Sequence, residues 1–218
     1  MSGTPFGSVL IRAYREFLDE RNLQEFVKLI AERYTQGTLM RIVESSDAEA
    51  RQAAVLSLRF FGSKACVAVV AGALCDSDSS VRELAENALW AIWRRAGTRE
   101  QNRKLAAISM LVADGHFDTA IADADDLIRE APRFAEVYNQ RAIAYIQTKR
   151  YKESILDCER VLKLNPLHFG AWAGKGQCFL ALEKPAKALE AFRQALEINP
   201  NLTNVRESIQ VLERSMEE

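Results

Sequence analysis

Pro132, Pro166 and Pro200 stand 34 residues apart, and whole columns of neighbours keep the same interval. Ala120 aligns with Ser154 and Ala188, Ala124 with Cys158 and Phe192, and Leu127 with Val161 and Ala195. The same holds for Leu111, Tyr145 and Phe179, for Ile108, Ala142 and Gly176, and for Lys104, Tyr138 and Trp172. A fixed period of this length means stacked supersecondary units, none of which buries its apolar face alone. Within one period Tyr138, Ala142 and Tyr145 form one helical stripe, and Ser154, Cys158, Val161 and Leu162 form a second. Each period is therefore two antiparallel helices, with a turn at Lys149-Arg150 in the middle copy and a proline after the second helix. The small columns, Ala142 with Ser154 and Gly176 with Ala188, mark close helix crossings, where a larger side chain would force the axes apart.

These columns resemble the tetratricopeptide repeat over residues 101–134, 135–168 and 169–202, the third copy being the fullest match with Trp172, Gly176, Phe179, Ala188, Phe192, Ala195 and Pro200. Lys104, Ser154 and Pro185 depart from the family pattern, and Pro185 fits if it opens the second helix, where its missing N–H costs nothing. The resemblance implies an all-α solenoid and a protein-binding groove along its inner face. A helix over 203–216, striped by Val205, Ile209, Leu212 and Met216, is expected to cap the stack.

Residues 1–98 carry a shorter period. Asp47, Arg51, Ala54 and Leu58 recur 31 residues on as Asp78, Arg82, Ala85 and Leu89, and Leu39 and Val43 recur as Val70 and Leu74. Ser46-x-x-Glu49 and Ser80-x-x-Glu83 read as capping boxes, and Gly62 and Gly97 as helix C-caps. This unit resembles a short HEAT-like repeat, present as 36–62 and 63–97, in which an Asp and an Arg form ladders between neighbours. Upstream, Phe6, Leu10, Ala13 and Phe17 stripe one helix, and Phe26, Val27, Ile30 and Tyr34 another, opened by Asn22-x-x-Glu25; the pair is a degenerate repeat or a cap. The uncharged run Ala65–Cys75 is half the length of a membrane span and reads as a buried helix.

The balance of 29 basic and 30 acidic residues argues against a dedicated nucleic-acid or membrane-surface binder. No export signal opens the sequence, and the four cysteines lack C-x-x-C spacing, so they are expected reduced, buried and cytoplasmic. His116 and His168 fall in turns between helices, where side chains face solvent. With no motif for phosphate, zinc or nucleophilic chemistry, neither an enzymatic activity nor a cofactor is implied. Asp118, Asp123, Asp125 and Asp126 splay around one helix and do not converge.

The expected binding surface is the inner face of the first helix of each repeat: Ser109 in the first, Asn139, Gln140 and Ile143 in the second, Ala173 and Gln177 in the third. Small residues there leave room for an extended peptide, and the amides offer hydrogen bonds. Family members that hold the C-terminal carboxylate of chaperones use a Lys-Asn-Asn-Lys-Arg set, and the matching positions here are Leu105, Ser109, Gln140, Gly170 and Gly174, so that clamp is absent. A second surface, Arg94, Arg95, Arg99 and Arg103, suits an acidic partner or a phosphate backbone, with salt-sensitive binding, or is simply a solvated connector. A third reading follows from resemblance alone: short HEAT-like repeats are similar to those of bilin lyases, which handle chromophores. The function expected of the sequence is that of a non-enzymatic scaffold that binds a protein segment.

Overall fold

The computed structural model describes residues 5–217. Among them all regular structure is helical, in thirteen α-helices: α1 (Pro5–Glu20), α2 (Leu23–Arg33), α3 (Gln36–Val43), α4 (Ala48–Phe61), α5 (Val67–Gly72), α6 (Ser79–Arg94), α7 (Arg99–Ala113), α8 (Phe117–Glu130), α9 (Ala135–Gln147), α10 (Tyr151–Leu164), α11 (Phe169–Ala181), α12 (Pro185–Ile198) and α13 (Thr203–Glu217). Among the described residues no helix is long and apolar enough to cross a membrane. The chain divides into two compact units, the first ending at Ile92 and the second beginning at Trp93, within α6.

In the first unit α4 is the central helix, packed by α1, α2 and α3. Its buried face runs through Ala50, Ala53, Ala54 and Leu58. In α1, Leu10 and Ala13 are buried, while the Phe6 side chain lies outside the described residues. Asn22 opens α2 as its spacing predicts, its side chain accepting from the Glu25 N–H at 3.2 Å. The expected capping boxes are corrected by one or two residues: the caps are Asp47, whose Oδ1 accepts from the Glu49 and Ala50 N–H groups, and Asp78, whose Oδ1 accepts from the Val81 N–H. A carboxylate beside the serine outcompetes the hydroxyl for the positive end of the helix. Gly62 is the C-cap of α4 as expected, its N–H bonding the Leu58 carbonyl at 2.7 Å from an extended backbone (φ −62°), whereas Gly97 lies three residues beyond α6. Residues 65–75 do not form one helix. α5 is flanked by 3₁₀ turns at Lys64–Cys66 and Ala73–Cys75, because Gly72 and three valines weaken a continuous helix. Cys66 is buried there, whereas Cys75 is exposed, contrary to its expected burial.

The recurrent arginines have a specific task. Arg51 Nη1 donates to the Ser45 and Ser46 carbonyls, and Arg82 Nη1 to those of Asp76 and Ser77, so each fastens the turn before its own helix. Arg51 also reaches the next turn through a fork to Asp76 (2.7 and 2.8 Å), and Gln52 donates to Asp78 at 3.0 Å. The ladder therefore runs from Arg51 to Asp76, a residue outside the periodic columns.

In the second unit each helix packs on the next from α7 to α13, and the first helices of successive hairpins, α7, α9 and α11, also pack on one another. The turns inside the three hairpins are copies. Gly115 (φ 81°), Lys149 (60°) and Glu183 (57°) occupy the same register in the left-handed region, and the next N–H bonds five residues back (His116 to Leu111, Arg150 to Tyr145, Lys184 to Phe179) at 2.8–2.9 Å. That is a Schellman closure, and only the first copy places glycine at the left-handed position. Pro185 opens α12 as its sequence position requires. At the close crossings Ser154 donates to the Ala142 carbonyl at 3.0 Å. A Cβ at Gly176 would stand 2.5 Å from the Phe192 ring, so the small column clears an aromatic side chain. α13 buries Val205, Ile209 and Leu212 but leaves Met216 exposed.

Candidate functional site

The inner face built by α7, α9 and α11 is divided. Towards the C-terminal ends of these helices it is open: Ile143 and Ala173 are half-buried, and Gln147, Gln177, Leu180 and Ala181 are exposed. Ser109 is half-buried and directs its hydroxyl to the Leu105 carbonyl of its own helix at 2.9 Å. No charged side chain occurs among these residues.

Towards the N-terminal ends the face is closed, which corrects the placing of two expected contacts. Asn139 and Gln140 are only 4% and 5% exposed. Their amides are committed to Glu136 Oε1, at 3.0 and 3.1 Å, and Glu136 itself is 1% exposed. The other carboxylate oxygen is met by His168 Nε2 at 3.1 Å, while His168 Nδ1 accepts from the Ala171 N–H at 3.0 Å and caps α11. An Nδ1 that accepts a backbone N–H carries no proton, so the proton sits on Nε2 and is donated to Glu136. Three donors on one buried carboxylate satisfy a charge that would otherwise be costly to bury.

His168 is thus a core residue, with 0% exposure, and not an exposed turn residue. The repeat register carries the missed signal: the residues immediately before α9, α11 and α13 are Phe134, His168 and Leu202, a column that is apolar in its other two members. The Trp93 ring stacks on His168 (centroids 4.3 Å apart, planes 21° apart) and packs on Phe169 at 5.3 Å. Trp93 is consequently buried, and Trp90 is half-buried. His116, by contrast, is exposed as expected.

A second polar cluster escaped the sequence reading. Arg141 on α9 forks onto Asp157 of α10 (2.7 and 2.6 Å) and also bonds Asp125 of α8, joining three helices. Burial works against the guanidinium charge, but the hydrogen bonds and charges of the two carboxylates prevail and hold its pKa above the usual arginine value. Asp125 therefore serves a cross-helix contact, and Asp126 pairs with Arg129. Burial pushes the Cys158 thiol up to about 12 and raises Cys178 as well, so both are poor nucleophiles. Among the described residues no group of three or more His, Cys, Asp or Glu side chains is placed to hold a metal ion.

Arg94, Arg95, Arg99 and Arg103 all lie at the surface around the connection from α6 to α7. Thr98 closes a capping box with Gln101 there. Lys104 pairs with Glu130 at 2.7 Å, which explains how a lysine occupies an aromatic column.

The family model for the tetratricopeptide repeat matches residues 135–167 and 170–202. Human tetratricopeptide repeat protein 12 is 30% identical over 113 residues, covering 50% of this chain and 16% of that protein. The small glutamine-rich tetratricopeptide repeat-containing protein 2 of Saccharomyces cerevisiae is 30% identical over 87 residues, 40% of this chain and 25% of its own length. The chain thus spans only a minor part of these two relatives. Among solved structures, the Sgt2 tetratricopeptide domain from Aspergillus fumigatus superposes with a TM-score of 0.53 at 21% identity, covering 56% of this chain and 83% of that one. The first tetratricopeptide domain of Spaghetti, bound to an HSP90 peptide, gives 0.54 at 20% identity, covering 56% and 97%. With the helical hairpins, their repeated turns and the small-residue crossings, these matches identify the hairpins from α9 to α12 as tetratricopeptide repeats.

Proposed function

We propose that the chain is a non-enzymatic adaptor that binds a segment of a partner protein along the open half of its inner face. The observation that carries this reading is the uncharged, accessible strip of Ile143, Gln147, Ala173, Gln177, Leu180 and Ala181. Such a strip suits an extended segment with apolar side chains, held by its backbone to the two glutamines. The wheat Hsp70-Hsp90 organizing protein among the relatives, and the Spaghetti domain bound to an HSP90 peptide, support the adaptor reading. Their ligand class does not transfer: Leu105, Ser109, Gln140, Gly170 and Gly174 offer no cation to a terminal carboxylate.

The test is a double substitution, Ile143→Arg with Gln177→Arg, in the full chain. Partners crosslinked from cell extract by the parent should be lost, with the helical circular dichroism unchanged. Undiminished capture by a folded double variant refutes the assignment.

A further inference from the structure

The starts of α9 and α11 share a neighbour. From Trp93 on the last turn of α6 to the cap Thr98, the chain touches the start of two repeat helices. Trp93 stacks on His168 and packs at a tilt on Phe169 at the beginning of α11. Gly97 lies against Phe134 at the beginning of α9, so closely that a Cβ would stand 2.7 Å from that ring. Asn102 clasps the turn, its Oδ1 accepting from the Gly97 N–H at 3.0 Å and its Nδ2 donating to the Gly97 carbonyl at 3.1 Å. Glu136 sits between the two anchor points, two residues after Phe134 and bonded to the His168 ring.

We propose that residues 93–98 act as an intramolecular strap that shuts the Glu136–Asn139–Gln140 end of the groove, held down by the Trp93 ring on His168. This rests on the groove being the partner site. A groove whose full length is available only when the strap is out binds with an affinity reduced by the fraction of molecules in that state.

The strap can be read without any partner. In the full chain with Cys75→Ser, an Asn139→Cys reporter should react slowly with a soluble aromatic disulfide reagent, while a Gln177→Cys reporter on the open half reacts fast. Adding Trp93→Ala should speed Asn139→Cys at least tenfold and leave Gln177→Cys unchanged, and Trp93→Phe, which keeps a ring on His168, should preserve the slow rate. The proposal is overturned if Asn139→Cys reacts fast with the strap intact, or stays slow without Trp93. It is equally overturned if Phe192→Ala, remote and destabilising, opens the reporter as much as Trp93→Ala does. Partner capture reports separately on the adaptor reading: loss of that reading leaves the labelling rates untouched.

Discussion

The two units hold their helix pairs in register by different means. In the first, beside its apolar columns, two periodic columns are polar and fasten backbone: Asp47 and Asp78 cap helices, Arg51 and Arg82 clasp the preceding turns, and one fork from Arg51 to Asp76 links neighbours. In the second, the periodic residues are chiefly apolar and small, and they act by fit, as Gly176 does beneath Phe192. Its polar clusters, around Glu136 and around Arg141, occur once each and lie off the period. A repeat can thus be specified by hydrogen bonds to turns or by the shape of the crossing, and the two failures should look different.

The largest contrast is expected from Phe192→Ala, which empties the space over Gly176 and should cost about 4 kcal/mol, measured by urea denaturation. A cost below that of the polar variants would remove the distinction between the units. His168→Ala strips one donor from buried Glu136 and uncaps α11, for about 3 kcal/mol by the same measurement. In the first unit Arg51→Met should cost about 2 kcal/mol, the scale of charged hydrogen bonds. Acid titration approaches that contact from the carboxylate side. The Arg51 hydrogen bonds hold Asp76 below the usual aspartate range. The stability this confers is complete above the ordinary carboxylate value and is lost as pH falls through the depressed one. Arg51→Met should therefore flatten this part of the acid-unfolding curve. Asp47→Ala should cost about 1 kcal/mol against less than about 0.5 for Ser46→Ala, which separates the observed cap from the one its sequence spacing suggests. The smallest effect is a gain: Glu183→Gly relieves a left-handed non-glycine residue and should stabilise by about 0.5 kcal/mol in thermal unfolding.

Sequence periodicity made the hairpins, the Pro185 start of α12, the Asn22 cap and the burial of Ala54, Leu58, Ala85 and Leu89 readable, because each is local or repeats. It failed where the partner of a residue lies outside the repeat. Asn139 and Gln140 sit on the expected face, but their amides turn to Glu136, and the ring that covers His168 comes from Trp93, 75 positions upstream. The caps shifted because aspartate and serine both serve at that position and lie within two residues of each other here. Arg141 was hidden since a fork to Asp157 and a bond to Asp125 join three helices that no spacing rule pairs.

The stack over His168 also bears on how such a protein can change. A tandem duplicate of residues 135–168 would bring its own carboxylate, amides and imidazole, yet the indole has no counterpart within that block. The copy would inherit a polar cavity lacking its roof. An added copy of this block would therefore need a different covering ring, or an apolar residue in place of that histidine.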